Sequence, residues 1–211
     1  MNQATLKMLY RVGKMSRLLS EKPSFQLSFL PKQEILWYRN PKCGQSTIDY
    51  ALRSFDTKYY RASIDIPVLS QFANWKSFGF VRHPETRFLS LWKNKVYNIS
   101  AENNLYGFSA EEREYLLDLD NFINWVASFD LDSAECHLRK QVRLVPPENV
   151  DFIGRIEQFD TDWNRLKKTL GLSINPVEVK NANPLDVALT PAQKHKIRDL
   201  YKEDLKTFYS A

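Results

Sequence analysis

Short apolar runs alternate along the chain with stretches in which apolar residues recur every three or four positions, the patterns of buried strands and of amphipathic helices. Glu34-Ile-Leu-Trp-Tyr-Arg39 is such a run, ended by Asn40-Pro41, and it predicts a strand entering a turn. A helix is expected over 46–55, a second strand over 58–63 and a third over 76–82, where Lys76-Ser-Phe-Gly-Phe-Val-Arg82 precedes His83-Pro84. Proline suits the start of the long helix expected over 85–97, because the first turn leaves unpaired the amide that proline lacks. Residues 109–130 read as helical and acidic, 151–157 as a fourth strand and 161–170 as a helix. Thr190-Pro191 caps a last helix running to 209, and the proline-containing segment 22–32 reads as a linker. Strands alternating with helices at this spacing predict an α/β chain of three layers, with a central, mostly parallel sheet flanked by helices.

Ahead of these elements, Met8, Val12, Met15 and Leu19 fall on one helical stripe and Lys7, Arg11, Lys14 and Arg17 on another. Residues 1–22 are therefore expected to be an amphipathic basic helix, and 23–211 a single domain. Through residues 4–19 that helix would lie on an anionic membrane surface or pack against its own domain or a partner subunit.

Composition narrows the class. The chain has 211 residues, 43% of them hydrophobic and 26% charged, which excludes a disordered or collagen-like polymer. Its net charge of +5 suggests a polyanion as partner, but location matters more than the sum. Within residues 1–22, five bases stand against Glu21, a net +4, which leaves the body at +1 and argues against nucleic acid. Cys43 and Cys136 lie far apart with no C-x-x-C, so neither a disulfide framework nor a zinc ribbon is indicated, and no His/Cys/Asp cluster has ligand spacing. With no apolar run of membrane-spanning length and no signal-peptide core, the expected location is cytoplasmic, soluble or membrane-associated through the first helix.

Two strand-to-helix junctions hold the candidate chemistry. In Arg39-Asn-Pro-Lys-Cys-Gly-Gln-Ser-Thr47, a lysine, a glycine and two hydroxyls stand where backbone amides open a helix, a natural oxyanion site. It is not a Walker A loop, since G-x-x-x-x-G-K-[ST] is absent, and a C-x5-R phosphatase loop would need arginine where Asp49 stands. In Arg82-His-Pro-Glu-Thr-Arg-Phe-Leu-Ser90, a guanidinium at a strand end and a hydroxyl within the next helix can converge on a second phosphate, with Arg87 one turn before Ser90.

Together these segments resemble the sulfotransferases that use 3′-phosphoadenosine 5′-phosphosulfate (PAPS), especially the membrane-type carbohydrate sulfotransferases and their soluble bacterial relatives. Lys42, Gly44, Ser46 and Thr47 match the family's P-K-x-G-x-[ST] loop, and Arg82, Pro84, Arg87 and Ser90 its R-x-P-x-x-R-x-x-S segment. Leu91-Trp-Lys-Asn-Lys95, His137-Leu-Arg-Lys-Gln141, Asp151-Phe-Ile-Gly-Arg-Ile-Glu157, Asn181 and Leu200-Tyr-Lys-Glu-Asp204 with Phe208 are similar to later elements. The resemblance implies a P-loop-like sandwich that transfers the sulfonate of PAPS to an acceptor hydroxyl of a carbohydrate or glycolipid, without a metal. It implies further that Lys42, Cys43, Gly44, Gln45, Ser46 and Thr47 hold the 5′-phosphosulfate, with Lys42 also catalytic, and that Arg82, Arg87 and Ser90 hold the 3′-phosphate.

The general base is less evident, because no His or Glu occurs over 58–82. His137 and Asp65 are the candidates. Trp37, Tyr38, Trp75, Trp92 and Tyr97 are available to stack on adenine or a sugar, or to fill the core. Two other classes compete: a nucleotide-dependent, kinase-like phosphotransferase, which predicts a Walker lysine and a magnesium-binding acid, and a non-catalytic basic module for membranes or nucleic acid, which predicts a basic body.

Overall fold

The computed structural model describes residues 25–53, 55, 62–64, 72–98, 104, 106–172 and 187–210. The expected helix over 1–22, Asp65 and Asn181 lie outside the described residues.

Five strands form one sheet in the order β3-β1-β2-β4-β5: β1 (Phe25–Leu30), β2 (Ile35–Tyr38), β3 (Ala62–Ile64), β4 (Lys76–Val81) and β5 (Phe152–Arg155). β2, β4 and β5 are parallel neighbours; β1 runs antiparallel to both β2 and β3, so four of the five strands point the same way. β1 corrects the expected linker over 22–32. Its alternation of Phe25, Leu27 and Phe29 with Gln26 and Ser28 is a strand pattern, and the prolines flank it rather than interrupt it.

The parity of the strands assigns the two faces. Ile35, Trp37, Phe78, Phe80 and Phe152 pack against α1 (Gln45–Leu52) through Ile48 and Leu52 and against α5 (Phe159–Leu170) through Trp163 and Leu166. The alternate residues Leu36, Tyr38 and Val81, with Leu27 and Phe29, meet Val142, Leu144, Val145 and Phe208. Gly79 is needed on that face, because a Cβ there would come within 2.5 Å of Val145. The expected α/β sandwich, mostly parallel and flanked by helices, is thus the fold.

A third cluster lies among helices. α2 (Pro84–Trp92) continues into a π-helical turn, Lys93–Tyr97. It packs with α3 (Ala110–Leu116), α4 (Leu119–Ala127) and α6 (Pro191–Leu200) through Phe88, Leu91, Phe122, Val126 and Ile197. The stretch read as one acidic helix is two, because Ser109 and Asp118 each accept backbone amides as N-caps. The last helix also divides, at Tyr201, into α6 and α7 (Lys202–Phe208). Among the described residues, no helix is long and apolar enough to cross a membrane.

Candidate active site

Both junctions open at the carboxyl ends of adjacent parallel strands, β2 and β4, which is where ligands of open α/β sheets bind. A cavity of about 360 Å³ lined by Tyr38, Trp75, Ser77 and Asp151 lies instead by the starts of β4 and β5. Trp37, Tyr38 and Trp92 are core residues, and the Trp92 indole donates to the Leu116 carbonyl at 2.9 Å.

The first loop is wound through left-handed backbone at Lys42 (φ 68°) and Gly44 (φ 71°). Glycine takes that conformation without strain, whereas lysine does so at a cost, and such strained positions concentrate at functional sites. Gly44 is the N-cap of α1 but supplies no side chain, and the first turn contains no acid, so neither the cap residue nor a first-turn carboxylate satisfies the opening amides. The single acid in α1, Asp49, is occupied elsewhere. Arg39 grips it with two hydrogen bonds of 2.9 and 2.7 Å, donates a third to Ser28 Oγ at 2.9 Å and lies 4.2 Å over the Trp37 ring. The loop is thereby pinned to β1 and α1.

Gln141 joins the two junctions. Its Oε1 accepts from Asn40 Nδ2 (2.9 Å), from the Arg82 amide (2.9 Å) and from the Cys43 thiol (3.4 Å), while its Nε2 donates to the Arg82 carbonyl at 2.7 Å. Its own amide, with that of Val142, is held by the buried carboxylate of Asp204 at 2.9 and 3.0 Å. The segments that look like an H-x-x-x-Q element and an L-Y-x-x-D helix therefore meet underneath the site and fix the spacing of its two loops.

At the second junction, Arg82 points toward the first loop. Its Nη1 donates to the Lys42 carbonyl at 3.4 Å and its Nε to Thr86 Oγ1 at 3.1 Å. α2 takes no cap from His83 itself, but unlike α1 it has an acid, Glu85, in its first turn, and Glu157 Oε1 accepts the His83 amide at 2.7 Å. Ser90 is half-buried on this helix. Arg87 is only 3% exposed and donates to the carbonyls of Pro41 (3.2 Å), Arg139 (3.1 Å) and Cys136 (3.2 Å). Its guanidinium is largely committed to the backbone, which makes it a clip behind the first loop.

Charge is concentrated where these parts converge. Burial, then the positive charges of Lys95 and Arg82, lower the Lys42 ammonium to about 8. Burial pushes the Cys43 thiol up to about 12, which leaves it inert as a nucleophile.

His137 lines a narrow crevice with Pro84, Arg87, Phe88, Leu91 and Tyr201. Its Nδ1 lies 2.9 Å from Glu135 Oε1 and 3.0 Å from Oε2. Burial raises the Glu135 carboxyl, but hydrogen bonds and charge from His137, with help from Cys136, outweigh it and bring the group to about 2. Glu135 was not among the sequence candidates, although a carboxylate two residues from a histidine was the available signal. Glu135, Cys136 and His137 also bring ligand-type atoms within 4.8 Å of one another, a grouping that spaced-ligand rules overlook because the residues are consecutive.

No curated protein and no solved structure matches the chain. A family model does: the model described as "Sulfotransferase family" matches residues 26–210, from β1 to the end of α7, and the chain belongs to that family.

Proposed function

We propose that the protein transfers the sulfonate of PAPS to a hydroxyl of a carbohydrate or glycolipid acceptor. One observation carries this reading: the starts of α1 and α2 sit side by side at the ends of adjacent parallel strands, with Arg82 reaching across to the Lys42 carbonyl at 3.4 Å. The loop amides of residues 44–47, Lys42 and the hydroxyls of Ser46 and Thr47 suit a 5′-phosphosulfate, and Arg82 with Ser90 suits a 3′-phosphate, which ATP lacks; the Cys43 amide is taken by the Asn40 carbonyl. Arg87 acts from behind, through the Pro41 carbonyl. The carbohydrate acceptor rests on the resemblance of the motifs alone. Residues 4–19 would dock the enzyme on a membrane surface or a neighbouring subunit.

The reaction needs positioning and charge stabilisation more than covalent chemistry. The acceptor oxygen attacks sulfur in line, the bond from sulfur to the bridging oxygen breaks, and its electron pair leaves with adenosine 3′,5′-bisphosphate. Lys42 neutralises the charge growing on that oxygen. The acceptor proton passes to His137 Nε2, since Glu135 holds Nδ1 and so sets the tautomer. Asp65 is the alternative base and lies outside the described residues.

A melting comparison tests the donor. Adenosine 3′,5′-bisphosphate at about 100 times its dissociation constant adds about 2.7 kcal/mol, a rise of roughly 5 to 11 °C for a chain of this size, whereas ATP-Mg gives a much smaller shift. Arg82→Ala is expected to erase the difference. Equal shifts for the two nucleotides on the wild type would point to a kinase-like site instead. For the base, His137→Ala is expected to lower turnover about 10²- to 10⁴-fold with bisphosphate affinity unchanged. Undiminished turnover would move the role to Asp65.

A further inference from the structure

Three consecutive residues, Glu135, Cys136 and His137, each carry an atom that ligates metals, yet an extended chain would point neighbouring side chains to opposite sides. A turn brings them together here. The Glu135 carbonyl accepts the amides of Leu138 and Arg139 at 2.9 and 3.0 Å, and its carboxylate accepts the His137 amide at 2.9 Å. Cys136 Sγ then lies 3.7 Å from His137 Nδ1, close to the edge of about 3.6 Å between sulfur and nitrogen in a tetrahedral zinc site. Glu135 Oε1 stands between them, 2.8 Å from the sulfur and 2.9 Å from the nitrogen. Those two separations must widen by roughly 0.5–0.8 Å for metal bonds, and the Glu135 side chain, 38% exposed, has room to withdraw.

The surrounding donors already orient the three ligands. Gln26, from β1, donates its Nε2 to the Cys136 sulfur at 3.1 Å, a bond that favours the thiolate. The Tyr106 hydroxyl donates to Glu135 Oε2 at 3.0 Å. Metal sites depend on such outer hydrogen bonds nearly as much as on the ligands themselves. Cys136 is buried, whereas Glu135 and His137 reach solvent, so an ion can enter on their side. In the free chain two protons converge on Glu135, one from the thiol and one from Nδ1. A single dication bonded to the same three atoms takes the place of both. One thiolate, one imidazole and one carboxylate suit zinc, whereas magnesium and calcium prefer oxygen alone.

We propose that Glu135, Cys136 and His137 form a zinc site that switches the enzyme off. The ion bonds Sγ, Nδ1 and one carboxylate oxygen, and solvent fills the fourth position. The thiol proton leaves to solvent. The Nδ1 proton is lost as the metal bonds there and Nε2 takes one up, so the imidazole stays neutral with its proton on the other nitrogen. Nε2 then cannot receive the proton of an acceptor hydroxyl. The site stands on its own geometry; the inhibition rests on the reading of His137 as the base.

The test uses Co²⁺ on the full chain as a coloured substitute for Zn²⁺. The wild type is expected to bind one equivalent, with a thiolate-to-cobalt charge-transfer band in the near ultraviolet and the visible bands of a tetrahedral ion, all erased by zinc. Cys136→Ser is expected to lose the charge-transfer band even though the buried Cys43 remains. Tyr106→Phe keeps the ring and removes only the outer donor, and is expected to weaken zinc binding about 10- to 100-fold. Equimolar zinc is expected to stop release of adenosine 3′,5′-bisphosphate from PAPS by the wild type, reversibly on adding a chelator. Cys136→Ser, with its folding checked by melting, is expected to turn over and to resist zinc. No bound cobalt, a cobalt spectrum without thiolate character, or one that persists in Cys136→Ser would overturn the site. A charge-transfer band with undiminished turnover would overturn the switch and the role of His137 as base. Cobalt bound through Cys136 in a chain that takes no bisphosphate would uphold the site and overturn the PAPS reading.

Discussion

Exchanging Lys42 for methionine is expected to slow sulfonate transfer about 10²- to 10³-fold, the usual loss when a preorganised donor to a developing oxyanion is removed. The readout is release of adenosine 3′,5′-bisphosphate from PAPS in the presence of a carbohydrate acceptor. The effect is large because Lys42 is half-buried and its charge works in a medium of lower dielectric than water. The same burial makes the ammonium costly to the free protein. A lysine whose folded value, here about 8, lies below its unfolded value binds its proton more weakly in the folded chain, so it costs stability at neutral pH and recovers it as pH rises from about 8 upward. Lys42→Met is therefore expected to melt at or above wild type at pH 7 while losing activity. In the wild type, bisphosphate affinity should fall as pH rises through about 8 and Lys42 discharges; in Lys42→Met that decline should be absent. A loss of less than about fivefold in turnover would remove Lys42 from the reaction.

The second large effect concerns stability. Asp204 is fully buried and its two oxygens accept the amides of Gln141 and Val142. Asp204→Ala strands both amides away from water, at about 1–3 kcal/mol each. A total near 3 kcal/mol lowers the melting temperature by roughly 6 to 12 °C for a domain of this size. Burial pushes the Asp204 carboxyl up, against the pull of the two amides and of Arg87. Its folded value lies above its unfolded one, so this group's contribution is fullest in acid and declines as pH rises through the folded value. Asp204→Asn keeps one acceptor and should fall between alanine and wild type. A melting temperature for Asp204→Ala within about 2 °C of wild type would mean that the turn at Gln141–Arg143 is held by its other contacts.

Much of this molecule is legible in its residues because local chemistry and global fold agree. Asn40-Pro41 and His83-Pro84 do mark the ends of two parallel strands, and Thr190-Pro191 caps a helix. β1 is harder to read because Pro23 and Pro31 suggest a linker, although only the period-two alternation between them reports on pairing. At the site, the limits are those of direction and burial. Arg87 has the residue type and spacing of a phosphate ligand, yet tertiary packing turns its guanidinium to three carbonyls. Gln141 is distant from both loops in sequence, and its role appears once the chain brings Asn40 and Arg82 to either side of it.

The reversed direction of β1 has a topographical consequence. Because β1 pairs antiparallel with β2, Phe25 lies beyond Tyr38, and the Gln26 carbonyl accepts from the Arg39 amide at 2.7 Å, on the rim of the first loop. At the other end, Tyr209 places its ring 5.1 Å from that of His83 and its hydroxyl 3.0 Å from Glu157, on the rim of the second loop. The first and last described strands and helices of the fold thus end beside the two loops. A tether at one of these points turns the donor face toward whatever it is attached to, so that an N-terminal attachment to a bilayer would present the transfer chemistry to the headgroups, and a bulky fusion at either end would stand at the entrance.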